Sequence, residues 1–114
     1  MVRLIHLLSA NDACPPEALL PGADFGREGD AWFWAEVDGV RIERFLADED
    51  GIRAELNVLA AIDETRQDDP IRLERIVTAR QLFTIQGPEP DVRRVADILA
   101  NATGGLLLED ASDG

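Results

Sequence analysis

Residues 30–47 read DAWFWAEVDGVRIERFLA, two runs of aromatic and β-branched residues on either side of Asp38-Gly39. Asp-Gly is a preferred dipeptide for a two-residue type I′ turn, so the stretch predicts a β-hairpin with strands at 30–37 and 40–47. The turn fixes the register of the two strands and places Glu36 opposite Arg41. Opposite charges that face each other across two strands favour this register.

The predicted register sorts the hairpin side chains onto two faces, because successive residues of a strand point to opposite sides. One face is apolar and holds Ala31, Phe33, Ala35, Val37, Val40, Ile42 and Leu46. The other face combines three of the six aromatic residues with charged ones: Trp32, Trp34, Phe45, Glu36, Arg41 and Glu43. Continued outward, the same register pairs Phe33 with Arg44 and Trp32 with Phe45.

Hydrophobic patterning predicts further strands at 2–8, 81–86 and 105–110 and helices at about 52–66 and 90–102. Residues 10–29 hold three prolines without sustained periodicity and are expected to form a long loop. Residues 71–80 fit either a short helix or a strand. The last strand either completes a βαβ unit with 81–86 and its helix or returns antiparallel.

This order of elements predicts an α+β fold, a two-layer sandwich with a mixed or mainly antiparallel sheet of about four to five strands. The chain has 114 residues, which suits one domain over 1–110, with a frayed tail at 111–114. No apolar run approaches the roughly 20 residues that cross a bilayer, so no membrane segment is expected. One cysteine and no secretory signal indicate a cytoplasmic, microbial protein.

The charged residues exclude several classes of function. The net charge is −12, from 23 acidic and 11 basic residues, which argues against direct binding to a nucleic-acid backbone. All 11 basic residues are arginine, so neither a Schiff-base lysine nor a phosphate-loop lysine is available.

No pattern in the sequence indicates an enzyme, a metal site or a bound cofactor. His6 is the only histidine and lies inside a predicted strand, eight residues from Cys14, and no third group that could orient such a pair is identifiable. Zinc would need more cysteine or histidine ligands than this chain holds. Asp48-Glu49-Asp50-Gly51 lacks the ligand spacing of a calcium loop and suits the start of a helix.

Negative charge is concentrated in the middle of the chain, where residues 36–70 hold eleven acids against four arginines. Such a surface would steer a basic partner toward it, although it could equally serve solubility. Tryptophan beside arginine and acids matches the composition of protein interfaces, unless both sheet faces are covered and the rings are core. The predicted partner-binding residues are Trp32, Trp34, Phe45, Glu36, Glu43, Asp48, Glu49, Asp50 and Glu55.

These observations predict a small, acidic, non-catalytic protein that inhibits or regulates a basic protein partner. Its most concrete form is an immunity- or antitoxin-type inhibitor of a bacterial toxin enzyme. A nuclease would suit this form, since the acidic surface would mimic its nucleic-acid substrate. The alternative is a regulatory α+β module that binds a small molecule under the 10–29 loop and forms a homodimer through an edge strand.

Overall fold

The computed structural model describes residues 2–11, 13–46, 74, 76 and 78–109. These residues form an α+β fold, a six-stranded antiparallel sheet with one described α-helix against it. The sheet order is β2-β3-β4-β5-β1-β6. The elements are β1 Val2–Ser9, β2 Asp24–Glu28, β3 Ala31–Val37, β4 Val40–Leu46, β5 Gln81–Pro88, α1 Asp91–Thr103 and β6 Leu106–Glu109.

The predicted hairpin is confirmed as β3 and β4. Asp38 and Gly39 both have positive φ, 52° and 79°, as a type I′ turn requires. The cross-strand pairs run from Val37–Val40 through Glu36–Arg41 and Ala35–Ile42 to Trp34–Glu43, in the predicted register.

The β3–β4 pairs end at Trp34–Glu43, so the predicted pairs Phe33–Arg44 and Trp32–Phe45 are not formed. At this point β3 carries a bulge against β2. Gly26 of β2 pairs with Trp34, and the next residue, Arg27, pairs with Trp32. Phe33 is therefore an extra residue that has no partner in β2. An inserted residue breaks the alternation of side chains. Trp32 therefore joins the core with 2% of its surface exposed, whereas Phe33, predicted to lie on the apolar face with Ala35, is 45% exposed.

The predicted loop at 10–29 is shorter than expected, since β2 occupies its second half. A 3₁₀ turn at Glu17–Leu19 lies in the remaining stretch. The two-residue connection Gly29-Asp30 joins β2 to β3, and Gly29 takes a positive φ of 65°. The strand count of four to five was too low for this reason.

One face of the sheet packs against α1. The helix begins after Pro90, ends at Gly104 in the left-handed conformation and buries Val92, Val95, Ala96 and Leu99. These side chains meet sheet residues that include Ile5, Leu7, Ile42, Phe83 and Ile85. The spacing i, i+3, i+4, i+7 gives the helix one apolar stripe, which is the physical reason that it lies flat on the sheet.

The opposite face carries a second buried cluster. Leu8 and Leu82 alternate with core residues of the first face, and they pack with Ile76, Ala79 and Leu108. Within 71–80, Glu74 and Ile76 are helical, as in the helical alternative, whereas residues 78–80 form a turn without helix or strand. The predicted helix at 52–66 and the tail at 111–114 lie outside the described residues.

The last two strands flank β1 on either side. Since β5 and β6 are both antiparallel to β1, they run parallel to each other, with α1 crossing between them. The β5-α1-β6 unit is therefore a βαβ unit, as in the first of the two predicted alternatives, with β1 lying between its two strands.

Candidate functional site: a charged aromatic patch at the sheet edge

The hairpin brings together one group of the predicted partner-binding residues on the sheet face opposite α1. Trp34, Glu36 and Glu43 lie on this face, together with Arg41, because residues directly opposite each other share a face. Asp24 of β2 pairs with Glu36 and extends the group to the edge of the sheet. We call these five residues the Trp34 patch.

Trp34 is half-buried and reaches across the edge strand. A Cβ atom built on Gly26 would lie 1.9 Å from Nε1 of the indole, so the ring rests where any other residue would carry a side chain. Glycine at this position of β2 therefore lets the aromatic ring extend to the outermost strand of the sheet.

Arg41 connects the ring with two carboxylates. Its guanidinium carbon lies 5.1 Å from the centre of the Trp34 ring, within the range of a cation–π contact. The same guanidinium group lies 3.6 Å from Glu36 and 3.5 Å from Glu43. All three charged side chains are about half exposed, so these ion pairs contribute little to stability.

Asp24 has no such partner among the residues that the structure describes. The patch thus holds three carboxylates, those of Asp24, Glu36 and Glu43, against the single guanidinium of Arg41. Its excess negative charge surrounds an aromatic ring that is only partly covered.

Phe45 lies on the same face but belongs to a different environment. It is half-buried against the cluster of Leu8, Leu82 and Ile76, two residues along β4 from Glu43. Its position is consistent with the predicted face, and its ring packs at the border of the second core cluster.

Trp32 lies on the opposite side of the sheet, and its predicted place beside Trp34 is wrong. Its ring centre lies 5.9 Å from that of Phe83 and 5.6 Å from that of Phe25. Its Nε1–H donates a hydrogen bond to the carbonyl oxygen of Pro15 at 2.9 Å. Trp32 holds the loop against the core instead of facing a partner.

The loop over this side is anchored by buried groups. Gln81 is fully buried, and its Nε2 donates to the carbonyl oxygen of Ala13 at 3.0 Å. Leu20 packs into the same core cluster as Trp32. Arg27 donates to both carboxylate oxygens of Glu17, and this hydrogen bonding lowers the pKa of Glu17 below its ordinary value.

Asp48, Glu49, Asp50 and Glu55 lie outside the described residues, so the structure does not place them relative to Trp34. The sequence analysis did not identify Asp24 and Gly26 as parts of this site. Gly29-Asp30 was the available signal, because a Gly-Asp pair between two candidate strands is typical of a hairpin turn.

The structure does not bring His6 and Cys14 together, the two residues that the sequence analysis considered as a catalytic pair. His6 alternates with Ile5 and Leu7 and lies on the face of the Trp34 patch, whereas Cys14 packs beside Trp32 on the α1 side. Within the described ranges, no three His, Cys, Asp or Glu residues form a group that could hold a metal ion. No helix in the described part of the chain is long and apolar enough to cross a membrane.

Comparison with known proteins gives no relative. No protein-family model, no curated protein and no solved structure matches this chain.

Proposed function

We propose that the chain is a small, acidic, non-catalytic protein of the cytoplasm that binds a basic protein partner through the Trp34 patch and inhibits or regulates it. The most concrete form of the proposal is an immunity- or antitoxin-type inhibitor of a bacterial toxin enzyme. A nuclease is a suitable target class, since its substrate site is basic and an acidic surface can occupy it.

One observation carries the proposal: the patch holds three carboxylates and one arginine around a half-buried indole. A partner that brings its own arginine or lysine would neutralise the excess charge, most directly at Asp24. Opposite charges across an interface accelerate association and select the partner, whereas a tryptophan supplies buried contact area.

The Trp34 ring already accepts a guanidinium group in this structure. Arg41 lies over it at 5.1 Å, which is the geometry that an arginine of a partner would adopt. Because Arg41 is half exposed and only weakly held, it can move aside or stack beside an incoming cation.

The strong excess of acid along 36–70 supports the same proposal. Arg94 and Arg3 are engaged with acids of the chain itself, at 2.8 Å to Asp38 and 3.1 Å to Glu89. The positive charges of these two arginines are thus largely neutralised within the molecule, and the net charge of −12 leaves a negative field.

The test compares two substitutions with the same change of charge. Glu36→Arg alters the Trp34 patch, whereas Asp97→Arg alters an exposed position of α1 on the other side of the sheet. Each variant is immobilised and exposed to lysate of the source organism, and bound proteins are eluted with a salt gradient and identified by mass spectrometry. We expect a basic protein to be retained by the wild type and by Asp97→Arg and to be lost by Glu36→Arg.

The purified partner then gives an affinity. We expect Trp34→Ala to raise its Kd about 30-fold, as for a residue that dominates an interface. Equal retention by the wild type and Glu36→Arg, or an unchanged Kd for folded Trp34→Ala, contradicts the proposal.

A further inference from the structure

Strand β2 forms one edge of the sheet, and the backbone groups of two of its five residues face outward. The two-residue turn Gly29-Asp30 closes on the pair Glu28–Ala31, and a turn of this length closes on a hydrogen-bonded pair. Glu28, Gly26 and Asp24 therefore bond to β3. By alternation, the N–H and C=O groups of Phe25 and Arg27 point away from the sheet.

No described residue takes up these outward groups, since within the described part of the chain β2 pairs only with β3 and no other backbone hydrogen bond reaches it. An exposed strand edge is a template for pairing with another strand. Many proteins protect such an edge by keeping the strand very short or by placing proline or charged side chains on it. Here β2 spans five residues and contains no proline, and its charged residues are Asp24, Arg27 and Glu28.

On the face of the Trp34 patch, the charged side chains of this edge strand, Asp24 and Glu28, are both acidic, whereas Arg27 lies on the α1 side and is paired with Glu17. Asp24 lies directly opposite Glu36, and like charges in that position are destabilising. Glu28 and Asp30 at the hairpin tip are exposed, and none of the described residues forms an ion pair with them. The chain therefore carries a repulsive carboxylate pair at the point where an incoming strand would place its side chains.

We propose that the basic partner presents an extended segment that adds to β2 as a seventh strand of the sheet. This inference rests on the proposed function and specifies how the Trp34 patch recognises its partner. The backbone of the added segment bonds to Phe25 and Arg27. Its side chains on the patch side lie beside Asp24 and the indole of Trp34, so arginine or lysine at alternate positions is the sequence that fits.

A second copy of this chain does not fit the same edge. Two antiparallel β2 strands would bring Asp24 and Glu28 of one copy next to the same acids of the other, and each chain has a net charge of −12. The negative charge of Asp24 and Glu28 thus favours pairing of β2 with a basic segment and opposes pairing with a second copy of the chain.

The test uses a matched pair of variants at Arg27. Arg27→Pro removes an outward N–H without removing a bond to β3, as proline tolerates on an edge strand. Arg27→Ala loses the same side chain and the same contact with Glu17 but keeps the N–H. The probe is a short capped peptide of alternating arginine and threonine, titrated by fluorescence anisotropy at two salt concentrations.

We expect the peptide to bind the wild type in a salt-sensitive manner and to bind Arg27→Ala at least as tightly, because a positive charge is removed. Arg27→Pro should raise the Kd about tenfold relative to Arg27→Ala. The same peptide with an N-methyl group on every residue keeps every charge but has no N–H donor on either edge, and it should bind about tenfold more weakly to the wild type.

Amide exchange on the wild type gives a readout that does not depend on how a variant folds. We expect the amides of Phe25 and Arg27 to become protected when the peptide is added. Equal binding of both peptides without protection at these amides would overturn the added strand while leaving the proposed function standing. Failure of the peptide to bind, or a dimer of the wild type in sedimentation, also overturns it. The proposed function fails separately, when Glu36→Arg retains the natural partner.

Discussion

At Gly26 the edge strand lies so close to the indole of Trp34 that no larger residue fits in the present arrangement. Nε1 would stand 1.9 Å from an added Cβ, and the next two ring atoms 2.4 and 2.5 Å from it. The backbone of Gly26 does not have a positive φ, so conformational freedom is not the reason for glycine here. The reason is the space that the ring occupies.

We therefore expect Gly26→Ala to push the Trp34 ring off the edge strand and into water. The overpacking should cost about 1–3 kcal/mol in the free energy of unfolding. The fluorescence emission of Trp34 should shift to the red, while Trp32 in the core stays unchanged. Chemical denaturation and emission spectra measure the two effects.

The control is the same substitution in a Trp34→Ala background. Without the ring, Gly26→Ala should be neutral or should stabilise by about 0.4–1 kcal/mol, because alanine restricts the unfolded chain. An equal loss of stability in both backgrounds would show that the ring is not what excludes a side chain at this position.

Among the elements, β3 shows most clearly how a single extra residue changes which side chains a strand presents. Arg27 and Gly26 are consecutive in β2, yet their partners Trp32 and Trp34 are separated by Phe33. The bulge keeps Trp32 on the same side as Ala35 and leaves Phe33 between them, partly in solvent.

Deleting Phe33 should consequently give a regular ladder in which every other residue keeps its face. Trp32 would directly precede Trp34 and still point toward the core. We expect the deletion variant to fold with a free energy of unfolding within about 1 kcal/mol of the wild type, as surface changes usually are. Thermal unfolding measured by circular dichroism tests this.

Deletion of Ala35 is the matched comparison, since it removes one residue from the regular part of the same strand. That change moves the residues on one side of it to the wrong face and should prevent folding. If both deletions unfold the protein, the extra residue is structurally required and the account of the bulge is wrong.

The sequence predicted what local rules control and missed what depends on the neighbouring strand. Asp38-Gly39 fixed the hairpin and its register as far as Trp34, because turn geometry acts over a few residues. Strand β2 was missed since glycine and charged residues weaken its alternation, and it is stabilised by pairing with β3. The side of Trp32 could not be predicted, because a bulge is a property of two strands together.

For the molecule as a whole, the excess of negative charge opposes the compact state. The net charge of −12 is carried on 114 residues, and folding brings these charges closer together. At physiological ionic strength, salt screens this repulsion beyond about 8–10 Å. Salt also weakens the few exposed ion pairs, but these contribute little to the free energy of unfolding.

We therefore expect added sodium chloride to raise the midpoint of thermal unfolding. Stabilisation on the order of 1 kcal/mol corresponds to roughly 4–8 °C for a domain of this size. The comparison is the triple variant Asp24→Asn, Glu28→Gln, Asp30→Asn, whose net charge is −12 + 3 = −9. Its unfolding midpoint should depend less on salt, and a midpoint that falls with salt in both proteins would contradict this view.

The position of β1 between β5 and β6 has a consequence for the order in which the molecule is assembled. Strand β1 is synthesised before both of its neighbours, which lie in the last third of the sequence, where Ile5 pairs with Ile85 and His6 with Leu108. Contacts between such distant segments make folding slow. During synthesis the β3–β4 hairpin can form alone. Both edges of the apolar strand β1 remain unpaired until β5 and β6 have been synthesised. Chaperone binding to a nascent chain would be directed to that strand.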